Sequence, residues 1–393
     1  RFNEMTPENR QQIRAYLSDL YEVMLQDISN GRGISVDSLR QLANSATGYH
    51  AEQALASGMV DELVHRPGVL DDLRERLGLE EGEDIRKISL TDYANAKNES
   101  KDYSISNKIA VIYAEGAIVD GKANPGTIGD KDYVTYLKEA REDDGVKAIV
   151  LRVNSPGGSA MASENIWKQV ELAKEAGKPV VVSMGDYAAS GGYYISAAAD
   201  SIFAEPNTLT GSIGVFSIIP NASELLEEKA GIHFDTVKTG DLSADFTPFY
   251  ALSPQATRIL QQRTEEMYEI FLKRVSDGRG MSRDSVHEIA QGRVWTGKAA
   301  IDVGLVDRLG GLDQALASAA ALADLDEYRI TEWPKVKDPI QMLLEQFMEN
   351  ENARVNAVLQ REMKEWYPMY KHYKQIRDSK GAQARLPFVV PFN

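Results

Sequence analysis

The sequence predicts an α/β protein with a mainly parallel sheet, duplicated along the chain, with the first copy truncated. Three observations carry this prediction. Segments 108–113, 147–153 and 179–184 are runs rich in Val and Ile, the pattern of strands buried on both faces. Amphipathic helical stretches at 132–141 and 163–176 separate them, and such alternation of strand and helix gives a parallel sheet. The chain also repeats itself. Met5, Thr6 and Pro7 answer Leu252, Ser253 and Pro254, at an offset of 247 (252 − 5). At the same offset Tyr21-Glu22 answers Tyr268-Glu269, and Gly31-Arg32-Gly33 answers Gly278-Arg279-Gly280. Ser29, Ser35 and Asp37-Ser38 likewise find Ser276, Ser282 and Asp284-Ser285. After a slip of one residue, Ala54, Gly58, Val60-Asp61 and Leu63 match Ala300, Gly304, Val306-Asp307 and Leu309.

The repeat divides the chain. Residues 1–85 read as the C-terminal, mostly helical part of a first repeat, and 86–104, charged and poor in apolar residues, as a linker. Residues 105–325 read as a complete repeat, and 326–393 as a C-terminal arm. The first copy lacks its front, and the chain opens on Arg-Phe-Asn-Glu-Met-Thr-Pro, so a piece of a longer duplicated protein is expected. Within the complete repeat, 213–219 reads as a further strand and 193–199 as an Ala-rich helix. A long helix over 254–276 precedes a Gly-Arg-Gly turn and a shorter helix from Ser282. In the arm, 339–374 reads as helical in parts. There Trp366, Tyr367, Tyr370 and Tyr373 stand among Lys364, Lys371 and Lys374. Basic aromatic segments suit membrane surfaces. The lack of a strict amphipathic period favours instead an arm packed on a neighbouring subunit or domain.

Composition narrows the function. A net charge of −15 and a pI near 5.0 argue against a nucleic-acid binder, which needs a basic face. The absence of cysteine removes thiol nucleophiles, Cys zinc sites and disulfides together. The histidines, His50, His65, His233, His287 and His372, form no His-Glu-x-x-His pair, so neither a metal nor another cofactor is expected. No apolar run approaches the roughly 18 residues that span a bilayer.

Two glycine-rich turns stand at predicted strand ends. Asn154-Ser155-Pro156-Gly157-Gly158-Ser159 follows the strand over 147–153, and Ala189-Ser190-Gly191-Gly192-Tyr193 follows the strand over 179–184. In open α/β sheets the carboxyl ends of neighbouring strands form the active-site crevice, so both turns are expected to face one cleft. Acyl transfer puts negative charge on one oxygen, and two backbone N–H groups aimed at it stabilise that charge. Glycine lets the backbone come close. On this reading Ser190 supplies the hydroxyl, and Gly158 and Gly191 supply the two donors.

The segments NSPGGS, GDYAASGGYYIS and TLTGSIGV (208–215), in that order, resemble the signal peptide peptidase A (protease IV) family of serine peptidases. More distantly the chain resembles the superfamily of Clp-type peptidases and crotonases, whose fold is a repeated β-β-α spiral. The duplication is similar to the family's long bacterial form. The resemblance implies a Ser-Lys dyad: Ser190 is the nucleophile, a neutral Lys amine is the base, and Ser212 orients that Lys. Asn154 and Pro156 would shape the turn. The stretch from Val237 to Ser243 matches the place where single-copy members carry the base, and that position falls near Ser243, where no Lys stands. In the long form the first half supplies the Lys, which by the repeat would lie before Arg1. Lys238 is the fallback base within this chain, and Lys122 reads as a surface residue. Ser212 as a plain turn residue remains open, as do groove or core roles for Tyr187, Tyr193 and Tyr194.

The function so implied is a serine endopeptidase that degrades cleaved signal peptides and other apolar segments. The resemblance further implies a homotetramer, a missing first-repeat segment bringing the Lys, and association with the bacterial inner membrane with the active site on the periplasmic side. A crotonase-like acyl-CoA enzyme shares the oxyanion turn, and a non-catalytic peptide-binding scaffold would explain the missing Lys. Both stay open at this stage.

Overall fold

A computed structural model of the chain describes residues 4–46, 49–80, 82–94, 104–335 and, as backbone, 382–385. It divides into two compact units, Arg1–Ser104 and Ile105–Asn393.

The first unit is helical: α1 (Pro7–Arg32), α2 (Val36–Ser45), α3 (Ala51–Ala56), α4 (Arg66–Leu77) and α5 (Leu90–Ala94). Thr6 caps α1, its Oγ1 accepting from Asn9 N–H at 3.2 Å, and Gly33 at φ 67° ends the helix. Only a residue tolerant of the left-handed region closes a helix this way. Arg32 then reaches across to the Gly58 carbonyl and to Asp61.

The second unit runs β1 (Lys108–Glu115), β2 (Ala117–Val119), β3 (Thr127–Gly129), α6 (Asp130–Glu142), β4 (Val146–Ser155), β5 (Gly157–Ser159), α7 (Ala160–Glu175), β6 (Val180–Ala189) and α8 (Gly191–Ser196). There follow β7 (Ser201–Ala204), β8 (Leu209–Gly211), β9 (Phe216–Ser217), α9 (Pro254–Arg279), α10 (Arg283–Ile289), β10 (Val294–Thr296), α11 (Gly297–Asp302), β11 (Arg308–Leu309), α12 (Leu312–Leu322), β12 (Arg329–Trp333) and β13 (Ala382–Arg385). The main sheet has the order β10-β8-β6-β4-β1-β12, with β7 on β6 and β11 on β7. Every pair in it is parallel except β10 with β8. A smaller sheet has the order β3-β2-β5-β13-β9.

The Val and Ile runs are explained by burial on both faces. Ala110, Ile112, Ile149 and Leu151 pack with Leu137 of α6 and Ile166 and Val170 of α7. Their neighbours Ile109, Val111, Ala148 and Val150 pack with Ala315, Leu316 and Ala319 of α12. Alternate side chains thus enter two cores, and neither face of the strand can be polar.

The repeat persists in three dimensions. α9 matches α1 in its Pro start and in its length of 26 residues. Ser253 caps α9 as Thr6 caps α1, and Gly280 at φ 62° closes it as Gly33 closes α1. Arg279 reaches Gly304 O and Asp307 as Arg32 reaches Gly58 O and Asp61. Asp307 in turn accepts from Ile202 N–H at 2.7 Å, which anchors β7.

Several expectations change. Of the strand expected over 213–219 only Phe216–Ser217 forms, pairing with β13, while Ser212 and Ile213 continue the bonding of β8 to the chain before β10 through Arg293 O and Gly292 N–H. The sheet runs past the expected end of the repeat at 325: β12 pairs in parallel with β1. The expected linker carries α5, and its remainder over 95–103 lies outside the described residues, as do the helical and aromatic-basic parts of the arm over 339–374.

Arg279 is 8% exposed against 29% for Arg32. Removing it takes the guanidinium from Asp307, whose exposed carboxylate still accepts from Ile202 N–H. Arg279→Ala is expected to cost about 1.5 kcal/mol of unfolding free energy. Denaturant midpoints should show a larger loss for it than for Arg32→Ala.

Candidate active site

The site is set by two neighbouring strands. β4 and β6 pair in parallel up to Val153 and Met184, slip, and pair again at Ser155 and Ala188. Their carboxyl ends therefore lie side by side, and each continues into a glycine turn. Asn154 Oδ1 accepts from Tyr187 N–H at 3.1 Å and ties one strand end to the other. Thr208 and Thr210 donate to the Gly185 and Ala188 carbonyls at 2.7 Å, so the last turns of β6 are fixed from the β8 side as well.

Ser190 is fully buried and holds φ 55° and ψ −115°. A non-glycine residue in such a conformation costs on the order of 1–3 kcal/mol and persists only where its surroundings fix it. Here Ser190 N–H donates to Gly211 O at 2.8 Å, and its carbonyl accepts from Tyr194 N–H at 2.8 Å. The hydroxyl is turned toward the Gly214 carbonyl, 3.4 Å away. α8 starts at Gly191 immediately beyond it.

The glycines are explained by close backbone approach. A Cβ on Gly192 would come within 2.6 Å of the Ser155 carbonyl oxygen, so α8 sits directly on the end of β4. A Cβ on Gly158 would run into the Ile118 carbonyl of β2. Gly157 lies at φ 95°, with its N–H donated to Ser155 Oγ at 3.1 Å. Ser159 closes the turn: its hydroxyl donates to Asp120 at 2.6 Å and caps α7 by accepting from Ala162 N–H. β13 lies antiparallel along β5, pairing Gln383 with Ser159, Ala384 with Gly158 and Arg385 with Gly157, and its other side pairs with β9.

Ser212 follows β8 at φ 47°, with its N–H donated to Arg293 O at 2.6 Å. It lines a cavity of about 400 Å³ with Gly214, Val215, Phe216, Tyr268, Gln291 and Gly292. Since Gly214 also faces the Ser190 hydroxyl, the cavity opens beside the nucleophile candidate. Tyr268 was not legible as a site residue. It belongs to the repeat match, yet its hydroxyl bonds His287 Nδ1 at 2.9 Å on the cavity's rim.

The remaining candidates fall elsewhere. Lys238 is on exposed chain between the π-helical turn Leu225–Lys229 and α9. The nearby Asp245 carboxyl is held below its usual value, first by the Ser253 N–H and more weakly by Lys238. Lys122 is exposed. Tyr193 is core, with its hydroxyl donated to Leu305 O at 2.9 Å, and burial raises its pKa. Tyr194 is also core, its phenol pushed up by burial and then by Glu164. Tyr187 is half-buried. His50, His65 and His233 are exposed, and His372 lies outside the described residues. Among the described residues no group of three or more His, Asp or Glu side chains could hold a metal ion.

Known proteins match this chain. The model of peptidase family S49 matches residues 1–80 and 172–326. Protease 4 of Salmonella typhi is 39% identical over 366 residues, which cover 91% of this chain and 58% of the relative. Protease 4 of Haemophilus influenzae is 37% identical, covering 82% of this chain and 53% of the relative. A putative signal peptide peptidase SppA of Enterococcus faecium is 36% identical, covering 58% of this chain and 67% of the relative. The chain spans about half the length of the two Protease 4 relatives.

The seat of α8 is directly testable. Gly192→Ala pushes a methyl against the Ser155 carbonyl and should cost about 1–3 kcal/mol. Gly240→Ala, which meets nothing within 4 Å, should stay within about 0.5 kcal/mol of the parent. Thermal or denaturant unfolding of the two variants checks the contrast.

Proposed function

The chain belongs to peptidase family S49, and we propose that it is the nucleophile-bearing part of a serine endopeptidase that degrades cleaved signal peptides and other apolar segments. The observation that supports this most is Ser190: a buried hydroxyl on a positive-φ turn at the end of β6, next to the glycine turn that ends β4.

In this reading Ser190 Oγ attacks the peptide carbonyl carbon and gives its proton to a neutral amine. The carbonyl oxygen becomes an oxyanion held by the Gly158 and Gly191 N–H groups, each donor worth about 2.7–4 kcal/mol of barrier. Collapse breaks the C–N bond, the amine returns the proton to the leaving nitrogen, and water then hydrolyses the acyl ester.

The amine is a Lys from a segment outside this chain, oriented by Ser212. The cavity beside Ser190 supports this. Val215, Phe216 and Tyr268 give it apolar walls, which favour a neutral amine, and no Lys is among its lining residues. Lys238 stands on exposed chain and is not among the residues that line this cavity. The substrate is an extended peptide that takes the place between β5 and β9 which β13 fills in this structure. The antiparallel pairing of β13 with β5 and β9 supports that mode of binding, which reads backbone rather than sequence. A homotetramer at the bacterial inner membrane, with the site on the periplasmic side, completes the proposal and rests on the family resemblance. No helix among the described residues is long and apolar enough to cross a membrane.

In the full-length protein, Ser190→Ala should lower hydrolysis of a hydrophobic peptide by at least about a thousandfold. Turnover equal to the parent's would contradict the assignment, and an inactive parent that still binds the peptide would favour a scaffold.

A further inference from the structure

We propose that Glu164 is a positioning residue for the reaction at Ser190, joining the two turns that hold the reacting groups. The proposal rests on the peptidase reading above. α7 begins at the oxyanion turn, since its cap Ser159 is the last residue of β5. α8 begins at the nucleophile, since its cap is Ser190. Glu164, in the second turn of α7, accepts the Tyr194 hydroxyl of α8 at 2.5 Å. The same carboxylate is gripped by Arg274 of α9, through Nη2 at 2.5 Å and Nε at 3.2 Å.

The grip is itself braced. The Arg274 guanidinium lies 3.9 Å over the Trp167 ring of α7, and the Tyr194 ring packs 4.7 Å from Phe271 of α9. A forked guanidinium fixes both the place and the plane of the carboxylate, which fixes the Tyr194 hydroxyl in turn. Tyr194 N–H is bonded to the Ser190 carbonyl, so a shift of Tyr194 is a shift of the nucleophile's own turn. The backbone contact of Gly192 with Ser155 sets how near the two turns lie, and the Glu164 link limits how they can slide.

The internal repeat separates this device from the framework. Arg279, Asp307 and Leu272 have counterparts Arg32, Asp61 and Leu25, with the same contacts or burial in the first unit. Arg274 and Phe271 fall opposite Asp27 and Met24, which cannot make the link. A helix with this cap, length and glycine stop therefore forms without Arg274, and the link is made on the helix that packs beside Ser190.

The test is steady-state hydrolysis of a hydrophobic peptide by the full-length protein carrying Tyr194→Phe, Glu164→Ala or both, alongside Ser190→Ala, with melting temperatures for each. Misplaced reacting groups should lower kcat by about tenfold in each single variant and leave KM within about twofold. The double variant should be no slower than the worse single variant, because both break one link. Tyr194→Phe removes only a hydroxyl and decides the matter if Glu164→Ala fails to fold. Unchanged kcat in Tyr194→Phe, a loss carried by KM, or multiplying losses in the double variant would overturn the proposal while Ser190→Ala remained inactive. Full turnover by Ser190→Ala would instead remove the peptidase reading, and this proposal with it.

Discussion

The site depends on one close approach, the backbone of α8 against the backbone end of β4. Gly192 has no side chain, so the Ser155 carbonyl can occupy the space a Cβ would take. That contact brings the start of α8, next to Ser190, against the end of β4, next to the second glycine turn. The strained φ of Ser190 follows from it, because the chain must leave β6 and enter α8 within a single residue. The bonds from Ser190 to Gly211 and Tyr194 hold that geometry, and the β8 threonines hold the strand beneath it. Parallel pairing of β4 and β6 is the prior condition, and it rests on strands apolar on both faces.

The duplication gives an internal control on what the fold itself needs. The Arg–Asp pair, the cap before the long helix and the left-handed glycine after it occur in both units. These are terms of helix closure and loop anchoring, and they carry no chemistry. Within the long helix the copies differ at Arg274, stacked on Trp167, and at Phe271, packed on Tyr194, where α1 has Asp27 and Met24.

The central strands and both glycine turns were legible because each has a strong local signal. A run such as Ala148–Val153 can be little other than a two-faced buried strand, and a Ser before two glycines after such a run marks a strand-to-helix turn. The short strands β7, β8, β10 and β11 were not legible. Each has two to four residues and owes its pairing to neighbours distant in sequence, as Gly211 does to Val294. β12 was assigned to the arm because the strand–helix alternation ends near Asp326, and Arg329–Trp333 is an edge strand with half-buried and exposed residues up to the buried Trp333. Of the strand expected over 213–219, Ile213 is core, Val215 and Phe216 line a cavity, and only Phe216–Ser217 pairs, so these apolar residues are covered without one continuous ladder. Glu164 and Arg274 meet across 110 residues, and nothing in either helix alone announces the pair.

Ser190 as the single activated hydroxyl is the claim on which the chemistry stands. The most direct measurement is reaction of the full-length protein with a fluorophosphonate, followed by mass-spectrometric mapping of the adduct. Phosphonylation confined to the peptide that bears Ser190 is the predicted result. An adduct on a different serine, or none on a protein that hydrolyses peptide, would contradict it.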